Sequence, residues 1–373
     1  MTTVWDDTLS DSDRAVLHAS NEIDRRPDLL VVGAGAVGLA TALMCRRARI
    51  ERVLVLDQAP IGGSASGRAA GLLTPEAQAF WRPPDFVKLA LASLALHRDF
   101  DDEWGGEAGL RHLEWIDATG APFPEQLAEW QARVIDPDAA RAVDPELVLP
   151  REGILIRDQA EVHPLRFLAA LARRAGTVVT GVTVTGLDVM QGKVVRVRTS
   201  RGAINPGAVV ITTGVLPTGL LDRWLKLPQV LIKGHLISTE PASFELRRGV
   251  AAPILVRQLK DGRILAGSTF DFDDSGPDVD DYVVSGIVSS LQRIVPRAEH
   301  LAIEHAWCCF RPGTPDQMPV IDKVPGLANV WVSVGHFRTG LLMAPATGRA
   351  LASWIGGGRR PGELSLFSAA RFS

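Results

Sequence analysis

Tyrosine occurs once in this chain of 373 residues, at position 282, and cysteine three times, at 45, 308 and 309. So few cysteines exclude a disulfide framework, and their odd number fits a reducing cytoplasm. One tyrosine leaves almost no phenolic hydroxyl for binding or catalysis. Positive charge is not in excess: 40 Lys and Arg stand against 43 Asp and Glu, a net charge of −3. That removes the electrostatic signature of nucleic-acid or anionic-membrane binding. Residues 1–27 are polar and rich in Asp and Arg, without the apolar core of a signal peptide. They read as an extension with one short helix over 12–19. The uncharged stretch 29–45 is at the short end for a bilayer span and carries Gly33, Gly35 and Gly38, so a strand, a glycine turn and a buried helix explain it better. What the chain has in quantity is apolar residues, 46% against 22% charged, which excludes a mostly disordered chain. Its length allows two or three domains that need no disulfide or metal staple, and no metal site is expected.

Residues 28–32 (DLLVV) form an apolar run suited to a buried parallel strand. GAGAVG follows at 33–38, then the apolar helix-forming stretch 39–48, then RVLVLD ending at Asp57. The unit is β-α-β, about thirty residues long. Gly33 permits the tight turn, Gly35 lets a pyrophosphate approach the backbone, Ala36 and Val37 open the helix, and Gly38 lets helix and strand pack closely. Free N–H groups and the helix dipole then meet the phosphates. Asp57 stands where a carboxylate accepts hydrogen bonds from ribose hydroxyls. These residues predict a dinucleotide site without choosing between NAD and FAD. Residues 62–75 (GGSASGRAAGLLTP) are a long run of small residues with few bulky side chains before Leu72, so backbone can lie flush against a flat, extended ligand; a surface loop is the competing reading.

Together with HPLRFLAALARRAG (163–176), VVITTG (209–214), GRILAGSTFDF (262–272), FRPGTPDQMPVID (310–322) and VSVGHFRTGLLMAPATG (332–348), these segments resemble the D-amino-acid oxidase superfamily of flavoenzymes. The resemblance is nearest its glycine/sarcosine oxidase branch and runs from residue 28 to the C-terminus. It implies an α/β chain in which a Rossmann-like FAD-binding domain (28–82, 153–233 and 320–373) interleaves with an α+β antiparallel-sheet substrate-binding domain (83–152 and 234–319). The patterning adds helices over 86–104, 124–142, 165–175 and 281–294, and strands over 177–180, 183–189 and 193–199. The acidic run 271–281 reads as a solvated loop.

The activity so implied is oxidation of an amine or amino acid by hydride transfer to flavin N5, giving an imine that hydrolyses to an oxo acid. FAD would be held, non-covalently in the favoured reading, by Gly67, Arg68, Ala69, Ala70, Gly71 and Leu72, by the backbone of Val184 at the adenine, and by Thr213 and Gly214. His336, Arg338, Thr339, Gly340, Leu341 and Leu342 would form a second helix N-terminus whose dipole faces the flavin ring. The resemblance implies that Arg311 pairs with the substrate carboxylate, which a bidentate guanidinium suits better than an ammonium. Arg338 would lie beside the same pocket. Without the resemblance, Arg311 reads as an exposed or structural arginine and His336 as a packed histidine rather than a base. The partners are then small molecules, with no nucleic acid and no membrane span; a homo-oligomer is compatible, and the compartment is the cytoplasm.

Three features depart from the family pattern. The strand where glycine oxidases place a tyrosine reads PILVR at 253–257. That predicts a more apolar pocket, puts glycine in doubt as the substrate, and raises Arg257 as a second cation. Asp57 replaces the commoner glutamate. Cys309 falls where sarcosine and pipecolate oxidases bond a cysteine to the flavin 8α-methyl, although a buried strand cysteine is the favoured alternative. Other functions in competition are an FAD-dependent 2-hydroxy-acid dehydrogenase with His235 or His336 as base, a flavin-carrying binding protein without turnover, and a nicotinamide-only dehydrogenase. The last is disfavoured by the small-residue segment and GHFRTG.

Overall fold

Leu29–Val32 is buried at every position, as a parallel strand covered on both faces requires. In the computed structural model, which describes residues 2–18, 21–121, 130, 132–272 and 276–372, it is the centre of a six-stranded sheet. Val53–Leu56 and Ala208–Ile211 flank it in parallel. Thr177–Val179 and Val330–Val334 continue the parallel order outward, and Val320–Lys323 closes one edge antiparallel. Alternate residues face opposite sides. Leu29 and Val31 pack with the helices Ala36–Arg47 and Gly340–Gly357. Leu30 and Val32 pack with the three-stranded sheet of Val184–Met190, Lys193–Thr199 and Gly202–Ile204. The two helices touch closely, since a Cβ on Gly348 would come 2.7 Å from the Ala40 carbonyl.

A second sheet of nine strands runs Ile303–Gly313, Val230–Pro241, Arg263–Gly267, Leu255–Gln258, Gly249–Ala251, Arg111–Asp117, Gly153–Glu161 and Leu72–Leu73, with Arg133–Ile135 also on Gly153–Glu161. All its pairs are antiparallel except Gly249–Ala251 with Arg111–Asp117. The helix Asp281–Ile294 covers its apolar face through Ile287, Leu291 and Ile294. The α/β expectation is met. Gly153–Glu161, from the stretch expected with the nucleotide domain, hydrogen-bonds within this second sheet.

The helix predicted over 124–142 is corrected. Residues 122–129 and 131 lie outside the described ones; of the remainder, Arg133–Ile135 is a strand and a helix begins only at Pro137. The reason is local. Asp136 caps that helix by accepting from Ala139 N at 2.7 Å, and proline at the first helical position disfavours helix before it. The single helix predicted over 12–19 becomes two, Val4–Asp7 and Asp11–Leu17, with Val4, Trp5 and Leu17 buried. Among the described residues no helix is long and apolar enough to cross a membrane.

Candidate active site

A cavity of about 890 Å³ lies between the two large sheets and is lined from both. At one end sits the glycine turn. Gly33 has φ 112°, and a Cβ there would come 2.5 Å from the Thr212 carbonyl oxygen. A Cβ on Gly38 would overlap the Gly33 carbonyl, so this residue serves close packing and does not line the cavity. Gly35, Ala36 and Val37 do line it. Ala36 N donates to Ser66 Oγ at 3.1 Å. Asp57 accepts from Ala34 N at 2.7 Å and from Ala59 N at 2.9 Å; burial raises its pKa, and those backbone donors pull the other way. Val184, Thr213 and Gly214 complete this end.

Along one wall run Arg68, Ala69, Ala70, Gly71 and Leu72. Gly67 is turned away from it and lies so close to Gly62 that no Cβ would fit. The far end is built around the start of the helix Gly340–Gly357. Pro345 has no N–H, so it cannot donate to Leu341 O one turn back. That orphaned carbonyl takes a hydrogen bond from His97 Nε2 at 3.0 Å, and Ala346 N donates to Ser93 Oγ at 3.1 Å. Burial holds His97 at a pKa of about 4, so it is neutral. Thr339, Gly340, Leu341 and Leu342 line the cavity, as does His336. His336 Nε2 lies 2.9 Å from Ser333 Oγ, its buried Nδ1 has no partner among the described residues, and burial lowers its pKa to about 4. Between His336 and Arg338, Phe337 has φ 51°, rare for a bulky residue and a mark of local constraint.

Two guanidinium groups reach this end. Arg311, on Ile303–Gly313, is 9% exposed and donates to Thr269 O at 2.8 Å. It lies 4.9 Å from the centre of the Phe270 ring. Burial lowers its pKa, and no carboxylate among the described residues offsets this. Arg338 stands over Trp81 at 5.6 Å. Loss of solvation and the nearby Arg82 bring its pKa to about 10, with Asp117 opposing, so it stays charged at neutral pH. Asp117, which lines the cavity, accepts from Thr119 Oγ1 at 2.7 Å, and burial raises its pKa.

A family model described as FAD dependent oxidoreductase (DAO) matches residues 28–354. The chain belongs to this family. The chain is similar to the hydrogen cyanide synthase subunit HcnC of Pseudomonas aeruginosa, at 25% identity over 94% of this chain and 97% of the relative. It is similar also to the glycine oxidase of Pseudomonas putida, at 29% identity over 86% of this chain and 92% of the relative. Its fold matches the crystal structure of glycine oxidase from Geobacillus kaustophilus with a TM-score of 0.82 and 24% identity, over 93% of this chain and 99% of that one. The molecule is thus an FAD-dependent oxidoreductase with FAD-binding and substrate portions, and its likeness to the glycine oxidase branch stands.

Within this flavoenzyme frame, two expectations need correction. Arg257 is not a second substrate cation. It is fully buried, pairs with Glu161, donates to Ala70 O at 2.5 Å and stacks over Trp5 at 5.6 Å. His235 is no base: strand alternation turns it from the cavity that its neighbours Gly234 and Leu236 line, and its Nε2 accepts from Asp280 N at 3.2 Å. The place of the missing tyrosine is apolar, with Ile254 and Leu255 on the cavity wall and Tyr282 exposed elsewhere. Cys309 lines the cavity half-buried, and burial raises its pKa against the pull of Arg311 and Arg68. Sequence reasoning missed Ser66, Trp81, Asp117, Ser268 and Phe270. Ser66 lies inside the small-residue segment, and Ser268 and Phe270 inside GRILAGSTFDF (262–272), so these three were within reach; Trp81 and Asp117 arrive only through the fold.

Proposed function

We propose that the chain oxidises an amino acid or other amine carrying a carboxylate, with Arg311 as the carboxylate clamp. One observation carries this reading: a buried guanidinium, free of acidic partners among the described residues, faces the cavity of a flavoenzyme fold. The residues fit FAD, because Gly33, packed against the Thr212 carbonyl, leaves no room for a side chain at the turn, and Gly35, Ala36 and Val37 line the cavity beside it with small residues and open backbone. Gly35, Ala36, Val37 and Asp57 would hold its phosphates and ribose, Ala69–Leu72 and Gly340–Leu342 its flavin end. Bound FAD supplies the acceptor for the hydride from the substrate's α-carbon.

The chain's own part is positioning and electrostatics. Arg311 orients the carboxylate, and Arg338 adds positive potential at the same end. Trp81, Trp115, Ile254 and Leu255 keep the α-carbon dry and favour an apolar side chain over glycine. An amine that enters unprotonated needs no protein base. The resulting imine hydrolyses in water to an oxo acid. FAD is held without a covalent bond in this reading.

A second reading has one observation in its favour. His336 lines the cavity and its buried Nδ1 is unpartnered among the described residues, which leaves a proton acceptor in that wall for a hydroxy acid. Anaerobic bleaching of the FAD-loaded protein separates the two. Amino, N-methyl and cyclic imino acids should bleach it and matched hydroxy acids should not. Bleaching by hydroxy acids alone would install the second reading, and no bleaching by any of them would remove both.

A further inference from the structure

We infer that residues 2–18 are a positioning clasp for the cofactor cavity, fixing the main chain of 61–71 through Trp5. The inference rests on FAD being the ligand of that cavity. This segment lies outside the family match, which begins at residue 28, yet it is anchored to several elements. Asp13 pairs with Arg173 at 2.6 Å. Thr8 Oγ1 lies 2.9 Å from His163 Nε2, and Asp7 meets Arg263 at 3.1 Å.

Two of its contacts fall on the wall segment itself, one at each end. Ile61 N donates to Leu17 O at 3.1 Å. Trp5 Nε1 donates to Ala69 O at 3.0 Å. Next to it, Ala70 O accepts from Arg257, whose guanidinium lies over the Trp5 ring and is held by Glu161. Consecutive carbonyls of the wall are therefore bound to one buried Trp–Arg–Glu group, on the side away from the ligand.

The physical need for this follows from the composition of the wall. GGSASGRAAG (62–71) has few side chains to anchor it: Ser66 Oγ accepts from Ala36 N at 3.1 Å and Arg68 reaches Cys308 O at 3.5 Å, while Arg68 O accepts from Trp307 Nε1 at 3.0 Å. Glycine-rich backbone loses the most freedom on ordering. Small residues let the main chain lie against a flat ligand, but they leave the ligand to bear the cost of ordering it. A wall already held from outside does not charge that cost to FAD binding, which is the general effect of preorganisation.

The test uses the full chain with Trp5→Phe, which keeps the ring and removes the N–H donor, and Trp5→Ala. FAD affinity is read by quenching of flavin fluorescence, and amide hydrogen exchange is followed over 61–72 in the FAD-free protein. The clasp predicts a several-fold rise in Kd for Trp5→Phe, at least tenfold for Trp5→Ala, and faster exchange in that segment. If Trp5→Ala does not fold, Trp5→Phe decides alone. A melting temperature lowered with Kd within twofold of the parent and unchanged exchange over 61–72 overturns the inference, because Trp5 then only fills core. A parent protein that refuses FAD overturns the cofactor reading instead.

Discussion

The guanidinium of Arg311 lies flat against the backbone of Gly234 on the neighbouring strand, where a Cβ would overlap it. In that strand pair Gly234 is opposite Cys309 and Ile232 is opposite Arg311, so the arginine side chain crosses the ladder diagonally toward the glycine. Glycine inside a strand sacrifices stability, roughly 0.5–1 kcal/mol against alanine, and this close approach is the reason for it here.

Gly234→Ala is therefore expected to spare the fold and impair the clamp. The group displaced is the end of a flexible side chain, so the melting temperature should stay level or rise. Turnover should suffer nonetheless, because a misplaced clamp costs about 10²-fold in kcat/KM. Arg311→Ala should cost more, with the flavin spectrum intact in both. Steady-state kinetics beside thermal melts check this. Parent-like kcat/KM in either variant takes Arg311 out of the site.

How much of this was legible beforehand depended on distance along the chain. The nucleotide end is local: Gly33, Gly35, Gly38 and Asp57 belong to one β-α-β unit, and their spacing alone dictates what they can hold. The substrate end is assembled by strand pairing. Phe270 meets Arg311 because Arg263–Gly267 and Ile303–Gly313 both pair with Val230–Pro241, and Asp117 comes near Arg338 because both sheets border one cavity; no periodicity encodes either meeting. Arg257 was misread because its partners, Glu161 and Ala70, stand 96 and 187 residues away. The same holds for the N-terminal segment, whose Trp5 binds a carbonyl 64 residues on.

Asp57 offers a test of the nucleotide end. Its two oxygens already accept from Ala34 N and Ala59 N, which fixes the carboxylate at the cavity and leaves lone pairs for ribose hydroxyls. Asp57→Asn turns one oxygen into a donor, so one backbone N–H loses its acceptor and one ribose contact is lost. FAD affinity should fall by about tenfold or more, at about 1.5–3 kcal/mol for a hydrogen bond to a charged group. Fluorescence titration of the FAD-free protein measures it. Parent-like affinity would move the ribose away from Asp57.

Cys309 bears on how the cofactor is retained. The attacking species in any covalent linkage is the thiolate. Burial pushes this thiol's pKa up despite Arg311 and Arg68, so it stays protonated at neutral pH. Acid precipitation of the loaded protein should leave all the yellow colour in the supernatant, and Cys309→Ser should bind FAD as the parent does. Colour in the pellet that Cys309→Ser abolishes would reverse this assignment.

His97 should make stability depend on pH in a definite direction. Its Nε2–H donates to the carbonyl that Pro345 leaves free, a bond that needs only the neutral ring. The folded pKa is about 4 against an ordinary 6.5. Between these values the unfolded chain binds a proton that the folded chain does not, so stability is full above pH 6.5 and is lost as pH falls toward 4. The slope is at most about 1.4 kcal/mol per pH unit for one such group. His97→Gln keeps a donor for Leu341 O and cannot titrate. Urea unfolding of the two proteins at pH 7.5, 6 and 5 should show the parent losing ground to the variant by nearly that slope below 6.5, with a constant difference above it. Parallel curves across the whole range would mean that the ring takes up its proton equally in the folded and unfolded chains, so that burial does not hold it neutral.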